Sequence, residues 1–93
     1  MSDVRVTDNR QAERYEANTG EGLAFAAYRP SGDTIIFTHT EVPEEVEGQG
    51  VGSQIVKYAL DDVRARGLKV VPACQFVAAY IERHPEYQDL VQS

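Results

Sequence analysis

Cysteine, histidine and positive charge are all scarce in this sequence, and each scarcity excludes something. A single Cys rules out an internal disulfide and suits a reducing compartment. With two His beside it, there are too few nitrogen and sulfur ligands for a closed structural zinc site. Nine Lys and Arg stand against fifteen Asp and Glu, a net charge of -6. That balance works against counterion-release binding to nucleic acid and offers nothing to an anionic membrane surface. It suits a cationic or amine-bearing partner instead. No apolar run approaches the roughly 18 residues that cross a bilayer, and Met1-Ser2-Asp3-Val4-Arg5 is not an apolar signal segment. The expectation is a soluble, cytoplasmic protein, a monomer or weak dimer, with no metal, nucleic acid or membrane partner.

What is present is ordinary for a folded domain: 42% hydrophobic and 26% charged residues in a chain of 93. Such a chain buries about two thirds of the surface it would expose unfolded, enough for one domain over residues 1–93 with a thin core. The first half reads as strands. Residues 4–6 and 12–16 are weak candidates, the latter with Tyr15 as its one large apolar side chain. Residues 23–28 form a short apolar run between the turns Thr19-Gly20-Glu21-Gly22 and Pro30-Ser31-Gly32-Asp33. Residues 34–42 are the best strand, with β-forming Ile35, Ile36 and Phe37. After them comes an acidic loop, Pro43-Glu44-Glu45-Val46-Glu47. Val51, Ile55, Ala59 and Val63 then recur at i+4, with Val56 and Leu60 beside them, which makes one apolar helical face. Gly67 stops that helix, and Arg64 and Arg66 suit its negative end. Residues 68–71 form a strand that Pro72 holds extended. A second helix covers residues 74–84, with Phe76, Val77, Tyr80 and Ile81 on its apolar face, and residues 85–91 add a turn. The order is β-β-β-α-β-α. It predicts an α/β (α+β) fold with a mixed, mostly antiparallel sheet and two main helices, the fourth strand parallel to the third after a right-handed crossover.

Three glycines in five residues, Gly48-Gln49-Gly50-Val51-Gly52, open the first helix. Missing Cβ atoms let backbone amides approach phosphate oxygens, and the helix dipole adds positive potential. A tight structural turn would use the same residues. Two familiar phosphate loops fail on spacing. Counted from Gly48, a Walker loop needs Gly and Lys where Ser53 and Gln54 stand, and a dinucleotide fingerprint needs Gly where Ser53 stands. The loop resembles the acyl-CoA pyrophosphate loop of the GNAT N-acetyltransferases, Gln/Arg-x-x-Gly-x-Gly/Ala, lying on Glu47 to Gly52 with Glu47 in the usual Gln/Arg place. His39-Thr40-Glu41-Val42-Pro43, Val70-Val71-Pro72-Ala73-Cys74, Tyr80-Ile81 and His84-Pro85-Glu86-Tyr87 extend the likeness over nearly the whole chain. Together they resemble the short, single-domain GNAT-like acetyltransferases. The resemblance implies a GNAT-like fold, acetyl-CoA as co-substrate, and transfer of an acetyl group to a primary amine on a protein lysine, small amine or polyamine. It also implies that Glu41 and Val42 offer backbone groups to pantetheine, while Gly48, Gln49, Gly50, Val51, Gly52 and Ser53 hold the pyrophosphate. A non-catalytic acyl-CoA binding or sensing module is the alternative.

Amine acetylation needs a base for the ammonium proton and an acid for the departing thiolate. Cys74, at the expected start of the second helix, is a candidate nucleophile for a covalent intermediate. It can equally line the pocket or pack as a small apolar residue. His39 and Glu41 alternate on the best strand in line with Ile35 and Phe37, and either is a candidate base. The plain alternative is a hydrogen-bonded strand His beside a solvated Glu. Tyr80 lies near the place of a Tyr acid in larger GNAT enzymes, although its periodicity suits the core. Glu41, Glu44, Glu45 and Glu47 could steer a cationic acceptor.

Overall fold

The strands of the first half pair in chain order as an antiparallel meander. β1 (Thr7–Asn9), β2 (Arg14–Asn18), β3 (Leu23–Ser31) and β4 (Thr34–Glu41) lie side by side, and β5 (Lys69–Pro72) joins β4 in parallel. This is the mixed, mostly antiparallel sheet that the sequence predicts. The computed structural model describes residues 4–92. The crossover to β5 is α1 (Val51–Ala65), entered through a 3-10 turn at Glu44–Val46. After β5 come α2 (Gln75–Arg83) and a 3-10 segment, Pro85–Leu90. The chain then runs beside β5, where Val91 bridges to Val70.

Two differences from expectation have local causes. Residues 4–6 form no strand: the Val4 amide donates to Gln54 Oε1 on α1 at 3.0 Å, and Val4 and Val6 pack against the core. β3 runs through Pro30 rather than stopping before it. β2 begins opposite Ala27 and the Glu13 carbonyl before it takes the Tyr28 amide at 2.9 Å, so beyond Tyr28 β3 has β4 alone as neighbour, a half-edge that tolerates a missing amide.

Both helices pack on one face of the sheet. Val51, Ile55, Val56, Ala59, Leu60 and Val63 form the buried stripe of α1, as the i+4 pattern predicts, and Val77, Tyr80 and Ile81 form that of α2. Ala17, Ala24 and Ala26 leave room for the close approach of α1 to β2 and β3. The other face carries Arg14, Glu16, Phe25, Ala27, His39 and Glu41, none of them buried.

One extra residue divides β4. Tyr28 pairs with Phe37 and Ala27 with His39, so Thr38 has no counterpart on β3. Such a bulge inverts the alternation beyond it. Ile35 and Phe37 therefore face the helices, while His39 and Glu41 face away and Thr40 turns inward.

Three tyrosine hydroxyls tie this core to carboxylates at its rim. Tyr15 donates to Asp62 Oδ2 at 2.7 Å, Tyr87 to Asp61 Oδ1 at 2.7 Å and Tyr28 to Asp8 Oδ1 at 2.6 Å. Burial first, and these hydrogen bonds second, push all three phenols above their ordinary range. A raised folded-state value gives stability that is complete below about pH 10 and is lost as pH climbs above it. The melting temperature should fall above pH 10, and Tyr87→Phe should shrink that fall while costing about 1 kcal/mol at neutral pH. Ile55→Val should cost about 1 kcal/mol at any pH in urea titrations, since it removes one methylene from the fully buried stripe.

Candidate functional site

The glycine loop ends at the first turn of α1. Gly48 and Gly50 take φ values of 84° and 82°, left-handed conformations that L side chains rarely adopt, and Gly50 is the N-cap. No side chain caps the helix and no acid lies in its first turn. Helix geometry leaves the amides of Val51, Gly52 and Ser53 without an intrahelical acceptor, at the positive end of the dipole. An anion such as a phosphate fits that cradle.

Beside the loop lies a cleft of about 420 Å³, lined by Thr40, Val42, Val46, Glu47, Phe76 and the loop residues Gly48, Gly50, Val51, Gly52 and Ser53. Gln49 instead donates its amide to the Val46 carbonyl at 3.3 Å. The cleft opens because β4 outruns β5. The pairing of the two strands ends at Phe37 and Pro72, whereas β4 continues to Glu41 on its β3 side. Beyond Phe37, β4 therefore presents a free edge to the space between the strands. Glu47, exposed to solvent, is the one acidic residue among the lining residues.

Cys74 is the N-cap of α2, as the sequence predicts, and is 8% exposed. Its Sγ lies 3.3 Å from Oγ1 of Thr40, a hydroxyl that also lines the cleft. His39 and Glu41 are not with them. The bulge at Thr38 puts these two on the opposite sheet face, which corrects the alignment with Ile35 and Phe37 expected from simple alternation. There His39 Nε2 and Glu41 Oε2 are 2.8 Å apart, with side chains 57% and 60% exposed. The Phe25 ring lies 6.1 Å from the imidazole and carries the Arg14 guanidinium 4.9 Å above it. The site thus has two sides, with the glycine loop, Thr40 and Cys74 on one and the His39–Glu41 pair on the other. Tyr80 belongs to the core: it is buried, stacks on His84 at 4.1 Å, and burial raises its pKa.

A family model for the GCN5-related N-acetyl-transferases matches residues 14–90. The chain belongs to that family, the GNATs. Its relatives include protein NATD1 of Mus musculus, 31% identical over 85 residues, which span 88% of this chain and 77% of the mouse protein. NATD1 of Gallus gallus is 33% identical over the same shares of both chains. In three dimensions the GNAT fold is matched by the NMR solution structure of a GCN5-like protein from Staphylococcus aureus. It is 27% identical, covers 100% of this chain and 92% of that one, and superposes with a TM-score of 0.75. The mixed sheet with its helices is thus that of an N-acetyltransferase domain. Among the described residues of this GNAT no cluster of three His, Cys, Asp or Glu could hold a metal, and no helix is long and apolar enough to cross a membrane.

Phe76 and Thr40 were not legible as site residues. Phe76 reads as a core residue from its place in an apolar helix, yet it is 39% exposed and faces the cleft. The inward turn of Thr40 depends on the bulge, for which the sequence carries no signal. The loop geometry makes a test of its own. Nothing lies within 4 Å of a Cβ built on Gly50, so Gly50→Ala meets no clash and should still cost about 1–2 kcal/mol of stability through its positive φ. Urea titration measures that cost.

Proposed function

We propose that this GNAT domain transfers an acetyl group from acetyl-CoA to a primary amine in the cytoplasm. The observation that carries this reading is the junction of an uncapped, glycine-opened helix with a cleft that runs along the free edge of β4. Gly48, Gln49, Gly50, Val51, Gly52 and Ser53 form the loop for the pyrophosphate, whose oxygens suit the first-turn amides. The free edge of β4 from Thr38 to Val42 offers backbone groups to the amide-bearing pantetheine arm, Glu41 and Val42 nearest the loop. Thr40 and Cys74 then lie on the thioester side of the cleft.

The amine approaches from the bare sheet face, where His39 is held by Glu41 at 2.8 Å. His39 takes the ammonium proton, and the freed nitrogen bonds to the acetyl carbon. The C–S bond breaks, and the CoA thiolate leaves and takes the second proton, which the nitrogen sheds as it becomes the amide. Glu41, Glu44, Glu45 and Glu47, with a net charge of -6, favour a cationic acceptor such as a lysine side chain or a polyamine. A second reading is favoured by the 3.3 Å contact of the Cys74 thiol with Thr40, a residue that lines the cleft: Cys74 accepts the acetyl group first and passes it to the amine.

Acetyl-CoA at 100 times its Kd should stabilise the protein by about 2.7 kcal/mol, a rise of several degrees in Tm. An unchanged Tm at millimolar acetyl-CoA would reject the donor. Binding without CoA release on any amine would leave an acyl-CoA sensing module. His39→Ala should lower kcat at least about 100-fold while sparing donor affinity. Cys74→Ala should keep turnover if transfer is direct. An acetyl adduct on Cys74 in intact-mass spectra, with turnover lost in Cys74→Ala, selects the covalent route.

A further inference from the structure

The three loop glycines answer to different constraints. Gly48 and Gly50 are required by their positive φ, with nothing within 4 Å of an added Cβ. Gly52 has no such conformation and is already inside α1. A methyl group there would lie 2.7 Å from Cζ of Phe76 and 3.3 Å from both Cε atoms. The tip of the Phe76 ring therefore occupies the place of the missing side chain.

Phe76 stands in the first turn of α2, two residues after Cys74, and spans the gap to the first turn of α1. It is 39% exposed, so its remaining surface is uncovered apolar area, and it lines the cleft opposite Thr40 and Val42. It also borders the shallow hollow on the outer side of α2, with Gln75 and Ala79. Seating on Gly52 fixes the ring tip and leaves the rest turned to the cleft. A ring held in that way suits a ligand segment that is itself partly apolar.

We propose that Phe76 is a donor-positioning wall, and that Gly52 is glycine to seat its ring rather than to admit phosphate. The inference rests on the acyl-CoA reading of the cleft. The covered segment is the pantetheine arm, whose gem-dimethyl carbon and methylenes lie between its polar amides. Pressed between the ring and the free edge of β4, the arm is held so that its thioester end reaches Thr40 and Cys74.

Calorimetric titration of CoA into the wild type, Phe76→Ala and Phe76→Leu tests this directly. Phe76→Ala should weaken binding at least fivefold and Phe76→Leu less, and saturating CoA should shift the Phe76 ring signals in NMR spectra. If the wild type binds no CoA, the acyl-CoA reading fails and this inference falls with it. If the wild type binds CoA and Phe76→Ala binds it equally well, or the ring signals do not move, the wall alone is refuted. Thermal melts check the seating without ligand, and Phe76→Leu serves if Phe76→Ala does not fold. Gly52→Ala should lower Tm in the wild type and lower it less, or raise it, beside the truncated ring. Equal effects in both backgrounds would overturn the role given to Gly52.

Discussion

The unmatched Thr38 in β4 is the constraint on which the site depends. Before it, β4 is an ordinary inner strand, bonded to β3 on one side and β5 on the other, with Ile35 and Phe37 under the helices. Beyond it, the alternation is inverted and β5 has ended. The Thr38 hydroxyl lies 3.4 Å from the Ala27 carbonyl, at the step in register. One extra residue thus turns His39 and Glu41 outward and Thr40 inward toward Cys74, where the strand edge is free.

The rest of the molecule holds α1 at that edge. Its apolar stripe is buried against alanines of β2 and β3, so the helix axis lies close to the sheet and its first turn sits beside the end of β4. The tyrosine–aspartate bonds act at the rim, two of them on consecutive residues of α1: Tyr15 reaches Asp62 from the sheet and Tyr87 reaches Asp61 from the C-terminal segment. Asp61 also pairs with Lys57, one turn earlier, at 2.9 Å. Burial alone would raise the Asp61 pKa, but the bonds from Tyr87 and Lys57 bring it below the usual carboxylate value. A thin core is in this way supplemented by directional bonds that fix the rotation of α1 about its axis.

Much of this was legible in the residues. The i+4 stripe of α1 is strong because seven of its fifteen residues are buried on one side, and turn-forming Gly, Pro and Asp mark the hairpin of β3 and β4. The glycine loop was legible because backbone conformation and anion binding both demand glycine there. What escaped depends on contacts between distant segments. Alternation along β4 looks unbroken in the sequence, since a bulge of Thr among Thr and His leaves no compositional mark. Phe76 reads as a core residue because hydropathy cannot tell a buried ring from one resting on a glycine of another helix. Tyr15 and Tyr28 read as apolar bulk, and the carboxylate partners of Tyr15, Tyr28 and Tyr87 lie 20 to 47 positions away.

A sheet covered by helices on one side only has a kinetic corollary. On the proposed reading, the donor enters from the helix side and the amine meets the exposed His39 from the other, so each substrate has its own doorway. Spent CoA can then depart while a bulky acceptor is still docked, and a new acceptor can arrive before CoA has gone. Neither substrate blocks the other's path, so addition of the two need not follow a fixed order.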